Sequence, residues 1–365
     1  MEYVKDKWKK EIIMSFWCEV YLDRIKHNIN KVKELSGNKK VIGVIKANAY
    51  GLGRDNIANF IKDNVDILAV GELRDAESIS HLEKDILLLS PLSQGEVFKN
   101  PKENIILTLD NEEALNYIDK EKQYRVHIYV DTGMNRMGIK PQKLDGFIEK
   151  LEKEYGNVKI EGIYTHLHKC HDVEYTLTQI KLFRKFTEKY KEKVEYLHCL
   201  ASSGLLNSKL REAARFTTAV RAGNIMYGYI GLNNGFKKAY DYYAKVDSIY
   251  KVKAGETIGY GALYKAKSNM TIGIIPVGNV HGLGISREIR KGFFYDIMRA
   301  AVRAFKERPI IFNNGRPVEI VGKPNMNVTI INFTGCNKDD KFKLEMSPII
   351  SDGLNEYRYI INENN

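Results

Sequence analysis

Val41-Ile42-Gly43-Val44-Ile45-Lys46 (residues 41–46) is a short apolar run closed by a lysine. A continuous apolar run of this length reads as a strand buried on both faces, the kind that parallel sheets are made of. Seven similar runs follow at Asp66–Gly71, Asp85–Leu89, Ile105–Leu109, Arg125–Val130, Ile160–His166, Val194–Ser202 and Phe216–Ile225. Helical patterns separate most of them, at Asn111–Lys120, Pro141–Tyr155 and Glu174–Lys193, where Leu177, Ile180, Phe183 and Phe186 recur every three residues. A further helix precedes the first run, with Ile25, Ile29, Val32 and Leu35 on one face and Gly37 as its stop. Eight buried strands separated by helices or loops are the pattern of a closed (β/α)8 barrel. A doubly wound open sheet gives the same alternation, so periodicity alone leaves both open.

Beyond about residue 240 the texture changes. Ala244–Val252, Thr257–Lys265, Met270–Val277, Pro309–Phe312 and Val328–Phe333 are separated by turns rather than helices. Asn314-Gly315, between Pro309–Phe312 and Pro317–Val321, has the residue types that accept positive φ in a tight hairpin. The expected organisation is a barrel over residues 1–238 and a mostly β domain over 239–365, the latter carrying one basic amphipathic helix at Phe294–Phe305. The length of 365 residues suits a large barrel with a companion. Hydrophobic content of 44% and charged content of 28% exclude disorder and small disulfide scaffolds. The apolar run Ile12–Cys18 is too short for a membrane span or a secretory segment. Cys18, Cys170, Cys199 and Cys336 lack repeated C-x-x-C spacing, which suits reduced thiols in a cytoplasmic protein. The net charge of +11 is spread among interleaved Glu and Asp, with no basic tract interleaved with aromatics, so no nucleic-acid groove and no membrane surface is expected.

A lysine closing a buried strand is costly without a partner. At the C-terminal mouth of a barrel, where active sites sit, Lys46 is a candidate Schiff-base lysine, against the plain alternative of a snorkelling surface residue. The stretch Val44-Ile45-Lys46-Ala47-Asn48-Ala49-Tyr50-Gly51-Leu52-Gly53 closely resembles the pyridoxal-phosphate signature of the alanine racemases. Further matches follow in the family's order: Val130 to Gly138 (VDTGMNRMG), Thr165-His166, Val220-Arg221-Ala222-Gly223, Met226-Tyr227-Gly228, Ala254-Gly255-Glu256 and Gly259 to Tyr264 (GYGALY). The resemblance covers roughly residues 17 to 335, and it implies a cofactor-carrying barrel plus a C-terminal β domain.

It implies roles as well. Lys46 resembles the lysine that carries pyridoxal 5'-phosphate and serves as base on one face of the substrate. Tyr260 resembles the second base, reaching the other face from the partner subunit of a homodimer, in a segment that ends at Tyr264. Racemisation needs proton donors on opposite faces of a planar carbanion, so two bases must flank it. A tyrosine's reference pKa lies near 10, and the resemblance supplies a means of lowering it, a chain from Arg221 through His198 to Tyr260. Arg221 resembles the arginine facing the pyridine nitrogen. A guanidinium cannot lend a proton, which weakens electron withdrawal into the ring and disfavours side reactions such as transamination. Phosphate contacts would come from Tyr50, from Ser202 or Ser203, from the backbone around Gly223 and Asn224, and from Tyr357 or Tyr359. Arg136, aided by the Met326 backbone N–H, would hold the substrate carboxylate, and His166 would pack over the cofactor ring.

The chain also departs from the family. Tyr129 stands where a lysine often orients the arginine. The Gly-Tyr-x-Asp-Gly motif near the substrate entrance reads Gly278-Asn279-Val280-His281-Gly282, and the usual Met-Asp pair reads Met326-Asn327. His166, His168, Cys170 and His171 lie close together, but such a tight run does not by itself close a tetrahedral metal site, and no metal is expected. The leading expectation is a racemase of alanine. The alternatives are a racemase of serine or of a larger or basic amino acid, a non-catalytic pyridoxal-phosphate carrier, and a metal-assisted lyase.

Overall fold

In the computed structural model the described residues are 15–91, 102–285, 295, 298, 309–350 and 356–361. Most of the basic helix expected at Phe294–Phe305 lies outside them. They form two units, residues up to Val20 with Tyr240–Ile360, and Tyr21–Ala239.

Each of the eight apolar runs forms one barrel strand. Numbering all strands along the chain, β1 is Phe16–Tyr21, and the barrel comprises β2 (Lys40–Val44), β3 (Ile67–Val70), β4 (Ile86–Pro91), β5 (Ile105–Leu109), β6 (Tyr124–Tyr129), β7 (Val158–Tyr164), β8 (Tyr196–Ala201) and β9 (Ala219–Ala222). These close in sequence order, and β2 pairs in parallel with both β3 and β9, which removes the open-sheet alternative. Ile42, Val44, Ile67, Ala69, Leu87, Ile106, Tyr196 and Ala219 form one buried cluster, as the inward residues of a tapering barrel should.

The helix before β2 spans Leu22–Ser36 and ends at Gly37, whose φ of 62° is the positive value favouring glycine at a helix end. It buries Ile25, Ile29 and Val32 as expected, together with Asn28. Asn28 is satisfied there, since its Nδ2 donates to Met226 O (2.9 Å) and Lys237 O (2.7 Å). The Val173–Thr187 helix is N-capped by Asp172, which accepts from Tyr175 N. Its buried stripe is Thr176, Gln179, Ile180, Phe183 and Thr187 rather than a strict three-residue series, because 3.6 residues per turn carry Leu177 and Phe186 to its edges. Asn111–Lys120 yields only a 3-10 turn, Glu113–Tyr117.

The second unit holds β10 (Tyr240–Ala244), β11 (Ser248–Val252), β12 (Thr257–Ile258), β13 (Tyr264–Lys265), β14 (Met270–Ile275), β15 (Ile311–Asn313), β16 (Arg316–Pro317), β17 (Thr329–Asn332), β18 (Phe342–Leu344) and β19 (Tyr357–Ile360). The order β16-β15-β18-β10-β1-β19 makes one sheet and β11-β14-β17 another. Placing the chain from residue 1 in the barrel therefore needs correction for β1, which pairs antiparallel with β10 from Phe16↔Ala244 to Val20↔Tyr240. The hairpin at Asn314-Gly315 forms with φ of 48° and 78°, the left-handed values its residue types favour.

Candidate active site

Lys46 stands two residues beyond the end of β2. Ile45 N donates to Ala69 O (2.8 Å), so the backbone stays tied to β3 until the lysine. Then Ala47, Asn48, Ala49 and Tyr50 all take left-handed helical dihedrals, with φ between 50° and 56°. Four consecutive non-glycine residues in this region are strained, at about 1–2 kcal/mol each. Closing bonds hold the turn, with Leu52 N and Gly53 N both donating to Asn48 O and the Asn48 side chain accepting from Arg54 N. The turn sets Lys46 and Tyr50 on the wall of one pocket.

That pocket lies in the barrel unit, and its wall includes Lys46, Tyr50, Tyr129, Arg136, His166, Ser202, Arg221 and Gly223. Among the described residues three cations line it and no carboxylate does. Burial first, then Arg136 and Arg221, push the Lys46 ammonium below its usual pKa. Burial raises the Tyr50 phenol to about 12, and its ring is braced by Tyr227 and Tyr229. His166 is pushed down to about 3, by burial and then by Arg221, Arg136 and Lys46, so it is neutral at physiological pH.

Of the two serines, Ser202 is buried on the pocket wall and accepts from Gly223 N (3.0 Å) and Ile225 N (3.4 Å), whereas Ser203 is exposed and off the wall. A Cβ on Gly223 would collide with the Tyr50 hydroxyl, so glycine is needed for that approach. Beside it the Asn224 Oδ1 is buried without a partner among the described residues.

Arg221 is buried in the barrel with no acidic partner among the described residues. Its Nη2 donates to Thr165 O (2.8 Å) and its Nη1 to His198 Nδ1 (2.6 Å), under the Tyr164 ring. The other nitrogen of His198, Nε2, lies 3.1 Å from His127 Nδ1. Both nitrogens of His198 are thus engaged inside the barrel. The expected chain from Arg221 through His198 to Tyr260 is corrected accordingly: His198 has no ring nitrogen left for a tyrosine, and it braces Arg221 from below.

Tyr129, in place of a lysine, is buried against Tyr164 (ring centroids 4.9 Å apart), and burial raises its phenol's pKa while the nearby Arg136 lowers it. The histidine and cysteine run disperses: His168 Nδ1 pairs with Gln179 Nε2 (3.4 Å) and Cys170 Sγ donates to Leu167 O (3.6 Å).

The remaining expected residues lie in the β unit. Tyr260 opens a 3-10 turn, Tyr260–Ala262, between β12 and β13, and is 83% exposed. Tyr264 starts β13, and Tyr357 lies in β19 with its ring stacked on Tyr359. Asn279–His281 folds as a 3-10 turn capped by Gly278 and Gly282, and Gly278 N donates to His281 Nδ1 (3.1 Å). A Cβ on Gly278 would strike Asn325 O and Met326 O, so glycine lets this loop dock there, presenting a Met326 that is 70% exposed.

Two family models match this chain, the alanine racemase N-terminal domain over residues 20–231 and the alanine racemase C-terminal domain over 239–348. The chain belongs to the alanine racemase family. The alanine racemase of Borreliella burgdorferi is 31% identical over 343 residues, spanning 89% of this chain and 85% of that protein. The alanine racemase of Fusobacterium nucleatum is 28% identical over 329 residues, spanning 87% and 86%. Among solved structures, alanine racemase from Clostridium difficile 630 superposes with a TM-score of 0.79 at 23% identity, over 96% of this chain and 97% of that one, a likeness of fold.

Sequence reasoning missed His127 and Tyr164. Inward residues alternate along a barrel strand, so a step of two from Tyr129 reaches His127 and a step of two from His166 reaches Tyr164; that step was the available signal. Burial, then Arg221 and Arg125, lower His127 to about 3, and burial, then Arg221 and His127, hold His198 well below the ordinary value. In the unfolded chain both titrate near 6.5. Below that pH the unfolded state binds protons that the native state refuses, so stability falls as pH falls, by about 1.4 kcal/mol per pH unit for each histidine. Urea unfolding is expected to show stability falling from pH 6 to pH 5, as these imidazoles take up protons only in the unfolded chain. The slope should be visibly shallower in His127→Asn, and equal slopes in the two proteins would contradict the assignment.

Proposed function

We propose that this protein is a pyridoxal-phosphate-dependent racemase that interconverts L- and D-alanine, with Lys46 and Tyr260 of the partner subunit as its two bases. The observation that carries the reading is the charge of the pocket. Lys46, Arg136 and Arg221 face it with no carboxylate among the described residues, a balance suited to a phosphate of about two negative charges together with one substrate carboxylate. The residues present fit the cofactor. Ser202, Tyr50 and the backbone at Gly223 supply polar groups at one end. Arg221, which can only donate, would face the cofactor's ring nitrogen without lending it a proton. When bound, the cofactor provides an electron sink for the pair left on the α-carbon.

The chain's own groups do the rest. Arg136 clamps the substrate carboxylate and so fixes which faces of the α-carbon are presented. Lys46, whose ammonium is held below its usual pKa by burial and then by Arg136 and Arg221, takes or returns a proton on one face. The phenol of Tyr260 of the partner subunit does so on the other face, and the strong exposure of Tyr260 on its own chain suits a side chain offered to a neighbour. Each turnover moves one proton off the α-carbon and a different one on, so the two groups exchange protonation states and reset through solvent.

Steady-state rates of the purified, cofactor-loaded protein over a panel of alanine, serine, lysine and arginine test this reading. Alanine is expected to have the highest kcat/KM. A higher value for serine or a basic amino acid would move the assignment to that substrate, a change for which Tyr129 and the 278–282 loop are the first places to look. Full cofactor binding with no racemisation of any substrate would favour the carrier.

A further inference from the structure

We propose that His127 is a positioning residue that fixes the proton on His198 and so holds Arg221 as a one-way donor beneath the pocket. His127 comes from β6, is fully buried in the barrel, and takes no part in the reaction described above. A guanidinium has donors and no acceptor, so the 2.6 Å contact from Arg221 Nη1 obliges His198 Nδ1 to accept. A neutral imidazole has one N–H, which must then sit on His198 Nε2. That nitrogen is 3.1 Å from His127 Nδ1, which must accept in its turn. The remaining proton falls on His127 Nε2, which is buried and has no partner among the described groups.

The position of His127 is built into the neighbouring strands. Gly162 of β7 pairs with it, and a Cβ there would lie 2.7 Å from Cδ2, Cε1 and Nε2 of the ring. The rings of Tyr196 (5.4 Å) and Tyr164 (6.4 Å) pack against it, and Tyr164 stacks on His198 at 4.8 Å with only 3° between planes. The charged groups acting on His127 are Arg221, Arg125 and Asp85. Neutral imidazoles in series thus point every N–H away from Arg221. Remove the last acceptor and the His198 N–H is buried unsatisfied, which frees the ring that pins the guanidinium.

The proton arrangement stands on geometry alone; its effect on rate rests on the racemase reading. The test is nitrogen-resolved NMR of histidine-labelled holoprotein. Both His127 and His198 are expected as neutral Nε2–H tautomers from pH 5 to 8. His127→Asn, which retains an acceptor oxygen near the place of Nδ1, should keep the His198 N–H signal. His127→Leu should shift it and speed its exchange with water, and should lower kcat about tenfold with KM little changed. An Nδ1–H tautomer on either ring, or an unmoved His198 signal in His127→Leu, would overturn the proposal. If the leucine variant fails to fold, the wild-type tautomers and the asparagine variant still decide it. Expected tautomers in a protein without racemase activity would leave the hydrogen-bond chain standing and remove the racemase reading alone.

Discussion

Lys46→Ala is expected to lower racemisation about ten-thousand-fold in both directions while leaving the barrel folded. The lysine follows a strand whose pairing ends at the preceding residue, and its side chain contributes charge and reach to the pocket rather than packing to the core. Its loss removes the proton carrier on one face and one of the three cations on the pocket wall, so affinity for the anionic cofactor should fall together with rate. The long-wavelength absorbance of bound cofactor and the racemisation rate, measured on one preparation, check both effects. Unchanged racemisation would end the assignment of Lys46 as a base.

Tyr260→Phe deletes one oxygen from a residue that is 83% exposed on its own chain, so folding should be unaffected. Racemisation is expected to drop by about a hundredfold to a thousandfold. The more telling effect lies in the isotope pattern. With Lys46 intact, one enantiomer should still exchange its α-proton with deuterated water while inversion nearly stops. The ratio of exchange to racemisation should therefore rise for that enantiomer alone. Equal loss of exchange and racemisation for both enantiomers would mean that the phenol is not confined to one face.

Much of the fold was legible because a parallel barrel writes each strand locally. The run Val41–Lys46 and its seven successors needed no distant partner to be recognised. What was illegible depended on partners far along the chain. Phe16–Tyr21 looks like any apolar run, and only its pairing with Tyr240–Ala244 takes it out of the barrel. Ala244–Val252 reads as one run but splits into two strands, because the chain turns at Lys245–Asp247 to leave one sheet for another. At the site, the resemblance located Lys46, Arg221 and Ser202 or Ser203, but not the direction of His198. That direction is set by which inward neighbour fills the barrel below it, and here Gly162 opens the space for a second histidine. The left-handed turn over Ala47–Tyr50 also had little local sign, since only Asn48 among its residues tolerates that region readily.

A shared site makes a quantitative demand on mixed dimers. When Lys46→Ala and Tyr260→Phe subunits pair, one of the two sites would regain both bases and the other would lose both. Random exchange gives half of the dimers as mixed, so about one quarter of wild-type activity should return from two inactive proteins. Racemase activity of differently tagged heterodimers, isolated after subunit exchange, measures this directly. Recovery to about one quarter of wild type in the exchanged mixture, concentrated in the heterodimer fraction, is the predicted result. A heterodimer as inactive as its parents would contradict the claim that Lys46 of one chain and Tyr260 of the other work on a single α-carbon.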